Sequence, residues 1–412
     1  MMEKNKIIFY FYAFLLIYAT GAVEVVFLDS SLIGTFCKAF MLLIPLIIVY
    51  FYLNKMIVYK KIFICMFSFM LFFAVNLTSS QENFSSFIMY FLKFVLFFVS
   101  CLYFRKKNID FQEYLYKVIV FIAKYSIYIY IPFILLRIPF PYLTFQIPDS
   151  DSFYENYLYL YYYRPFNDAL VNIGPLRIGR NAAFFWEPGL YGVFLSYALY
   201  YHIFKNVKNK KNFLYLIINI LSTFSTTALA IACLFIGIRI LKKLSYKERL
   251  YCIIPVILVV VLGVTFILQK KASVQHASGG MNSFSVRLLD LTVGFYVFQQ
   301  YPFSGTGFQN TEFFRFVQKL NRGSSNGLIT WMFTMGTVGI IFLLLPFLIN
   351  IKKSTDKFKT LIYLGLFLIL NMTEPIITSP FMTFLLAQEY SKTMKRIQYE
   401  QHSVNMSEVL WV

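Results

Sequence analysis

The sequence predicts an all-α integral membrane protein, one polytopic domain over residues 1–412 with about twelve transmembrane or re-entrant helices. Three observations predict it. The chain is 59% hydrophobic and 14% charged, whereas soluble domains sit near ~45–50% apolar and about 25% charged. A larger core cannot close that gap, because a soluble fold still needs a charged surface; the surplus fits a surface that faces lipid. Apolar runs recur at the length that spans a ~30 Å hydrocarbon core, about 20 residues at ~1.5 Å each. Lysine and arginine gather in alternate short loops, the pattern of cytoplasmic loops.

The first apolar run, residues 7–27, follows Lys4 and Lys6 and resembles a signal peptide, with Ala19-Thr20-Gly21-Ala22 small enough for cleavage. More such runs follow, so an uncleaved first span is expected. Further spans are expected over 33–53, 62–77, 86–104, 118–136, 184–204, 252–269 and 327–350. Loops 54–61, 105–117, 205–212, 242–249 and 352–359 are basic, and the tail adds Lys392, Lys395 and Arg396. Loops 28–32 and 78–85 hold no Lys or Arg. Both termini are therefore expected in the cytoplasm. Residues 213–241 join two basic loops that belong on one side, which excludes a single crossing. The run must go out and back, turning near 222–227, with each arm short for a full span. Such backbone survives in a bilayer only where protein or a watery cavity covers it. Residues 359–390 are expected to split likewise near Glu374-Pro375 and Ser379-Pro380.

Lys and Arg outnumber Asp and Glu by 38 to 19. Because the excess lies in short loops, nucleic acid is not an expected partner. Cys37, Cys65, Cys101, Cys233 and Cys252 lie in or beside apolar runs and form no C-x-x-C pair, which suits small packed or lipid-facing residues. His202, His276 and His402 are far apart, so no metal motif is visible. Charges inside apolar runs are few: Glu24, Lys38, Lys93 and Lys124. Each costs about 2.5–3.5 kcal/mol at the bilayer centre on insertion scales. Glu24 and Lys38 approach the outer face from adjacent spans, placed to pair or snorkel; Lys93 and Lys124 lie deeper, as cavity-lining candidates. No ladder of carboxylates resembles a proton relay, which counts against a pump.

Two outer loops are long, 137–183 and 270–326, and long ordered loops tend to carry function. The first holds Arg137, Arg164, Arg177 and Arg180, against the positive-inside bias. A guanidinium fork matches phosphate geometry and stays charged. An anionic substrate such as a lipid-linked diphosphate is one explanation. Headgroup contact, or pairing with Asp149, Asp151, Glu155 and Asp168, is the other. The second loop holds Arg287, Arg315, Lys319 and Arg322. Apolar spacing from 284 to 299 suits a helix lying near the membrane surface. A turn follows at Tyr301-Pro302-Phe303-Ser304-Gly305-Thr306-Gly307. Its two glycines either serve the turn itself or let backbone approach a ligand. Residues 154–163 are rich in tyrosine, suited to an interfacial belt or to packing on sugar rings.

Four stretches occur in order along the second half of the chain. Arg180-Asn181-Ala182-Ala183-Phe184-Phe185-Trp186-Glu187-Pro188-Gly189 puts an arginine before an aromatic-Glu-Pro start of a span. Residues 222–229 give a Ser/Thr-rich turn within a hydrophobic hairpin. Arg287 is followed by Pro302 and Gly305-x-Gly307, and Asn326-Gly327-Leu328 precedes Gly336-x-x-Gly339. From about residue 170 onward this resembles the O-antigen and capsule repeat-unit polymerases, the Wzy family of the O-antigen polymerase/ligase superfamily. The N-terminal part matches in hydrophobicity alone. The sister ligases commonly show His-Asn where Ser325-Asn326 stands, which favours a polymerase. The arginine-x10-glycine pattern described in some polymerases is absent at Arg164, Arg177, Arg180 and Arg287.

The resemblance implies a glycosyltransferase at the outer face of the bacterial inner membrane, with a fold similar to the GT-C-type membrane glycosyltransferases. It would join undecaprenyl-diphosphate-linked oligosaccharide repeat units into O-antigen, capsule or exopolysaccharide, with no metal, nucleotide or other cofactor. Arg180 and Arg287 would stabilise charge building on the departing diphosphate. Glu187 is a candidate base for the acceptor hydroxyl, or a residue that shapes a helix start. Arg177, Arg164, Asp290, Gly305, Gly307 and Asn326 are substrate-binding candidates, with Asp290 also a candidate base. Expected partners are the lipid-linked oligosaccharide, membrane lipids and, as a further one, a chain-length regulator. The alternatives are an O-antigen ligase and a non-enzyme, a lipid-linked glycan flippase or other transporter, for which paired halves and charged cavity helices would be expected.

Overall fold

The computed structural model describes residues 2–26, 32–53, 84–146, 153–158, 160–165, 170–173, 176–241, 283–308 and 324–393. Expected spans 62–77 and 252–269, loops 54–61 and 242–249, residues 78–83 of loop 78–85, and Asp149, Asp151, Asp168, Arg315, Lys319 and Arg322 lie outside the described residues. The helices in chain order are α1 (Met2–Gly21), α2 (Val23–Val26), α3 (Leu32–Leu53), α4 (Phe84–Lys106), α5 (Phe111–Ile129), α6 (Pro188–Phe204), α7 (Lys210–Thr223), α8 (Thr226–Leu241), α9 (Ser283–Gln300), α10 (Gly327–Lys353), α11 (Lys357–Thr373) and α12 (380–393). Among the described residues, Ser86–Lys106, Phe111–Leu135 and Gly327–Lys353 are long and apolar enough to cross a membrane, and Lys6–Gly21, Leu32–Ile48 and Thr226–Leu241 are shorter apolar helices. The chain is built as a membrane protein, as its composition predicts. It divides into two units, residues 1–39 with 111–284 and residues 40–110 with 285–412.

In the first unit α6 is buried from Leu190 to Phe204. A helix apolar all round belongs in the middle of a bundle, and α5, α7 and α8 pack on it while α1 packs on α5. Gly192 lets α8 come close, since a Cβ there would stand 2.9 Å from Ala228 Cβ. The run 213–241 is the expected hairpin: α7 has 14 residues and α8 has 16, about 21 and 24 Å at ~1.5 Å per residue, short of a ~30 Å core. Phe224 turns the chain between them with φ 48° and ψ 30°. The span expected from 184 starts only at Pro188, whose fixed φ suits a first helical position.

The first long loop adds strands to the expected all-α fold. After α5 a π-helical turn (Tyr130–Leu135) leads to β1 (Leu143–Gln146), β2 (Phe153–Tyr157) and β3 (Tyr161–Tyr163), an antiparallel sheet in the order β1-β2-β3. Leu143 faces Asn156, and Glu155 faces Tyr163. β4 (Leu170–Ile173) and β5 (Leu176–Gly179) form a separate hairpin with Asn172 opposite Arg177. Aromatic side chains favour pleated, half-buried surfaces and pair across strands, and Tyr161 and Tyr162 are buried. The tyrosine-rich stretch is thus in part sheet core.

Glu155 on β2 accepts a hydrogen bond from the Tyr157 hydroxyl at 2.9 Å. Burial raises its carboxyl above the ordinary carboxylate range, and the Tyr157 hydroxyl opposes that rise. The folded state therefore holds this proton more tightly than the unfolded chain. Stability is expected to fall as pH climbs from the ordinary carboxylate value through the raised one. Glu155→Gln should flatten that acid-side slope in thermal unfolding of purified protein. An equal slope in parent and variant would show that this carboxyl is unperturbed.

In the second unit α10 packs on α11, and aromatic rings from α4 (Tyr90, Phe94), α10 (Trp331, Phe342) and α12 (Tyr390), with Phe308, meet at centroid separations of 5.0–5.7 Å. The run 359–390 splits as expected: α11 ends at Thr373 and α12 starts at residue 380. Lys93 of α4 donates to the Thr378 carbonyl in this break at 2.6 Å, so a charge inside an apolar helix is met by unwound backbone. Helix α10 is itself broken at Gly336, where φ is 64° and ψ is −167°. The turn after α9 inserts into the break. Thr306 N donates to Phe333 O and Gly307 N to Thr334 O, both at 2.9 Å, while Thr337 N donates to Pro302 O at 2.8 Å. Backbone groups released by the break are thus satisfied by the turn.

Candidate functional site

Sequence-predicted residues fall in both units, and in the second Asp290 meets Ser325 beside Asn326. In the first unit Arg180 follows β5 and heads the non-helical stretch 180–187. Backbone bonds pin this stretch: Asn181 N to Ser222 O at 2.9 Å, Tyr162 N to Ala183 O at 2.8 Å, Val23 N to Phe184 O at 3.2 Å and Trp186 N to Gly21 O at 3.1 Å. Arg180 is half-buried, and its Nε donates to the carbonyl of Thr223 at 3.0 Å. Thr223 is the last residue of α7. The final carbonyls of a helix lack intrahelical partners and form the negative end of its dipole, which favours a cation. Beside it Asn181, fully buried, donates from Nδ2 to Asn219 Oδ1 at 3.1 Å and to Ser222 Oγ at 3.0 Å.

Glu187 is the N-cap residue of α6 with extended backbone, and its side chain makes no cap bond; Pro188 supplies the helix start instead. The residue is half-exposed, at the end of the pinned stretch. Arg164 is half-buried just after β3, and Arg177 lies on β5. Glu24 is buried and accepts from the hydroxyls of Tyr162 at 2.5 Å and Tyr18 at 3.3 Å. It therefore ties the end of α1 to β3. Glu24→Ala strands two buried hydroxyls at about 1–3 kcal/mol each. The variant is expected to lower the thermal midpoint of purified protein, and Glu24→Gln, which keeps an acceptor, to lower it less; equal midpoints for both would discount these bonds.

In the second unit Arg287 projects from α9. Its Nη2 donates to the carbonyl of Thr373 at 2.8 Å and stands 3.8 Å from Glu374 Oε1. Thr373 is the last residue of α11. Arg180 and Arg287 therefore each dock on the final carbonyl of a helix that breaks, at one of the two runs that loop charges split. Asp290, one turn along α9, is fully buried, and its Oδ2 accepts from Ser325 N at 2.7 Å and Ser325 Oγ at 2.6 Å. Asn326 caps α10, its Oδ1 accepting from Ile329 N at 3.0 Å. A Cβ on Gly327 would stand 2.8 Å from the Glu374 carbonyl, so the start of α10 lies against the break after α11. The close approach that Gly305 permits is to the backbone of Thr334 and Gly336, where a Cβ would come within 2.4 and 2.6 Å.

Sequence reasoning missed Asn181, Asn219, Thr223 and Thr373. The available signal was Asn219, an amide inside an apolar run, where a polar group is costly and so warrants a role.

Residues 212–344 match the family model described as O-antigen ligase. A comparison with curated proteins finds no match. The matched stretch covers less than half of the chain. It includes the end of α7 on which Arg180 docks, together with Arg287, Asp290, the turn at 301–307 and the broken part of α10. Residues 212–344 thus form an O-antigen ligase family domain, consistent with the O-antigen polymerase/ligase superfamily.

Proposed function

We propose that the chain is a polymerase that joins undecaprenyl-diphosphate-linked oligosaccharide repeat units at the outer face of the inner membrane, with both termini in the cytoplasm. The observation that carries this is the seating of Arg180 and Arg287, each on the last carbonyl of a breaking helix. A guanidinium anchored on a backbone carbonyl is oriented before substrate arrives, which is what electrostatic stabilisation of a developing anion requires. In the reaction an acceptor sugar hydroxyl attacks the donor's anomeric carbon. The bond from that carbon to the diphosphate oxygen breaks, and undecaprenyl diphosphate leaves with the electron pair. The hydroxyl proton passes to a carboxylate. Glu187, half-exposed, suits this better than Asp290, which is fully buried. Arg164, Arg177, Gly305, Gly307 and Asn326 are retained as substrate-contact candidates.

Ser325-Asn326, where the resemblance places the ligases' His-Asn pair, favours polymerase. The description of the matched family supports ligase as a second reading. A deletion strain separates them on a glycan gel: single repeats on the acceptor indicate a lost polymerase, and polymer left on the carrier lipid indicates a lost ligase. Repeat units trapped on the cytoplasmic face would indicate a flippase and reject both. Accessibility tags beside Arg180 and Arg287 test the topology, and a cytoplasmic result at either position removes that arginine from the mechanism.

A further inference from the structure

We infer that Asn219 is a positioning residue for Arg180. This rests on Arg180 acting on the departing diphosphate, as proposed above. Asn219 lies on α7, one turn before Thr223, and is fully buried. Its side chain is saturated. Oδ1 accepts from Ser126 Oγ at 2.7 Å, Tyr191 OH at 3.0 Å and Asn181 Nδ2 at 3.1 Å. Nδ2 donates to Ala123 O at 2.8 Å and to Tyr215 O at 2.7 Å. One amide thus ties α5, α6 and α7 to the residue next to Arg180.

The link to the guanidinium is short. Asn181 is held by Asn219 and Ser222 through its side chain and by Ser222 O through its backbone, while Arg180 itself is held by Thr223 O. The three anchors, Asn219, Ser222 and Thr223, occupy the last turn of α7, within the matched family domain. Arg180 and Asn181 lie outside that match. The network therefore gives Arg180, a residue outside the match, a fixed direction relative to the end of α7, where the match begins. A buried amide is costly unless every hydrogen-bonding position is filled. Asn181 is fully buried as well, and its Nδ2 is filled by Asn219 and Ser222 when the 180–181 backbone is in place, so the network selects one arrangement of that loop. Without Asn219 the loop keeps its backbone bond to Ser222 O and the Asn181 bond to Ser222 Oγ but loses one of its two side-chain tethers. A misplacement of about 1 Å in a group acting on the reacting bond lowers the rate about a hundredfold.

The test uses the full chain in nanodiscs, with lipid-linked repeat units extracted from a deletion strain as substrate and chain growth read on gels. Asn219→Ala is expected to lower kcat about ten- to a hundredfold. KM should stay within about twofold, since the lost interaction acts in the transition state. In the Arg180→Ala background the same change should produce no further loss. Parent-level kcat for Asn219→Ala, or losses that multiply in the double variant, would overturn the inference. Parent-level activity of Arg180→Ala would instead overturn the assignment of Arg180, and this inference with it. If Asn219→Ala does not accumulate, Asn181→Ala cuts the same link from the loop side and leaves Asn219 bonded to Ser126 and Tyr191; the same outcomes then decide.

Discussion

Replacing Arg287 with lysine is expected to stop polymer formation while leaving the protein at its normal level, and replacing it with alanine is expected to reduce both. The difference follows from the two bonds Arg287 makes. Its Nη2 donates to Thr373 O at 2.8 Å, and it stands 3.8 Å from Glu374, whose side chain is 4% exposed. Removing the cation leaves that carboxylate buried beside an unwound helix end. Breaking a buried pair in this way costs about 3–5 kcal/mol, and the long spacing puts the expected cost at the lower end. Such a loss is large against a typical stability of about 5–15 kcal/mol. Lysine keeps a charge for Glu374, so folding should survive. It lacks the planar fork that holds a carbonyl with one nitrogen and offers parallel donors to a phosphate with the others. Loss of one oriented donor lowers a rate about 10²–10³-fold, enough to remove long chains from a glycan gel. Membrane immunoblots and surface-glycan gels of both variants check this. Long polymer from Arg287→Lys would exclude the proposed role.

The helix breaks on which the arginines dock were legible in the sequence, and the docking was not. Loop charges alone require 213–241 and 359–390 to turn back, because two basic loops on one side cannot be joined by one crossing. The turns fall where expected, at Phe224 and after Thr373. That Arg180 and Arg287 would meet those ends depends on long-range packing, which no local pattern encodes. The first long loop was not legible as sheet. Its strands are three to five residues long, too short for alternation to stand out in a chain that is 20% aromatic. Glu24 and Lys93 were legible as costly charges needing an answer. Their partners, the hydroxyls of Tyr18 and Tyr162 and the carbonyl of Thr378, were hidden because polar hydroxyls and unwound carbonyls carry no charge signature. Gly305 was legible as a site of close approach, and what approaches is another segment of the same chain.

Gly336→Ala is expected to prevent the protein from accumulating. Helix α10 stops being helical at Gly336, with φ 64° and ψ −167°, a region that glycine alone enters without strain of about 1–3 kcal/mol. The strain is the smaller part. A Cβ at this position would stand 2.2 Å from the Phe303 carbonyl oxygen and 2.6 Å from Gly305 N, and both are backbone atoms that no rotamer change can move. Relief requires the turn at 302–307 to withdraw. Withdrawal breaks the bonds from Thr306, Gly307 and Thr337 that satisfy the interrupted helix, and orphaned backbone groups in a bilayer interior cost several kcal/mol each. The total is expected to be on the order of 3–5 kcal/mol or more, at the upper end of single substitutions. Gly365→Ala on α11 is the control, because nothing lies within 4 Å of a Cβ there. Alanine in a helix interior is worth about 0.5–1 kcal/mol over glycine, so that variant should match or exceed the parent in membrane yield and thermal midpoint. If Gly336→Ala accumulates as well as Gly365→Ala, the turn does not occupy the break in α10.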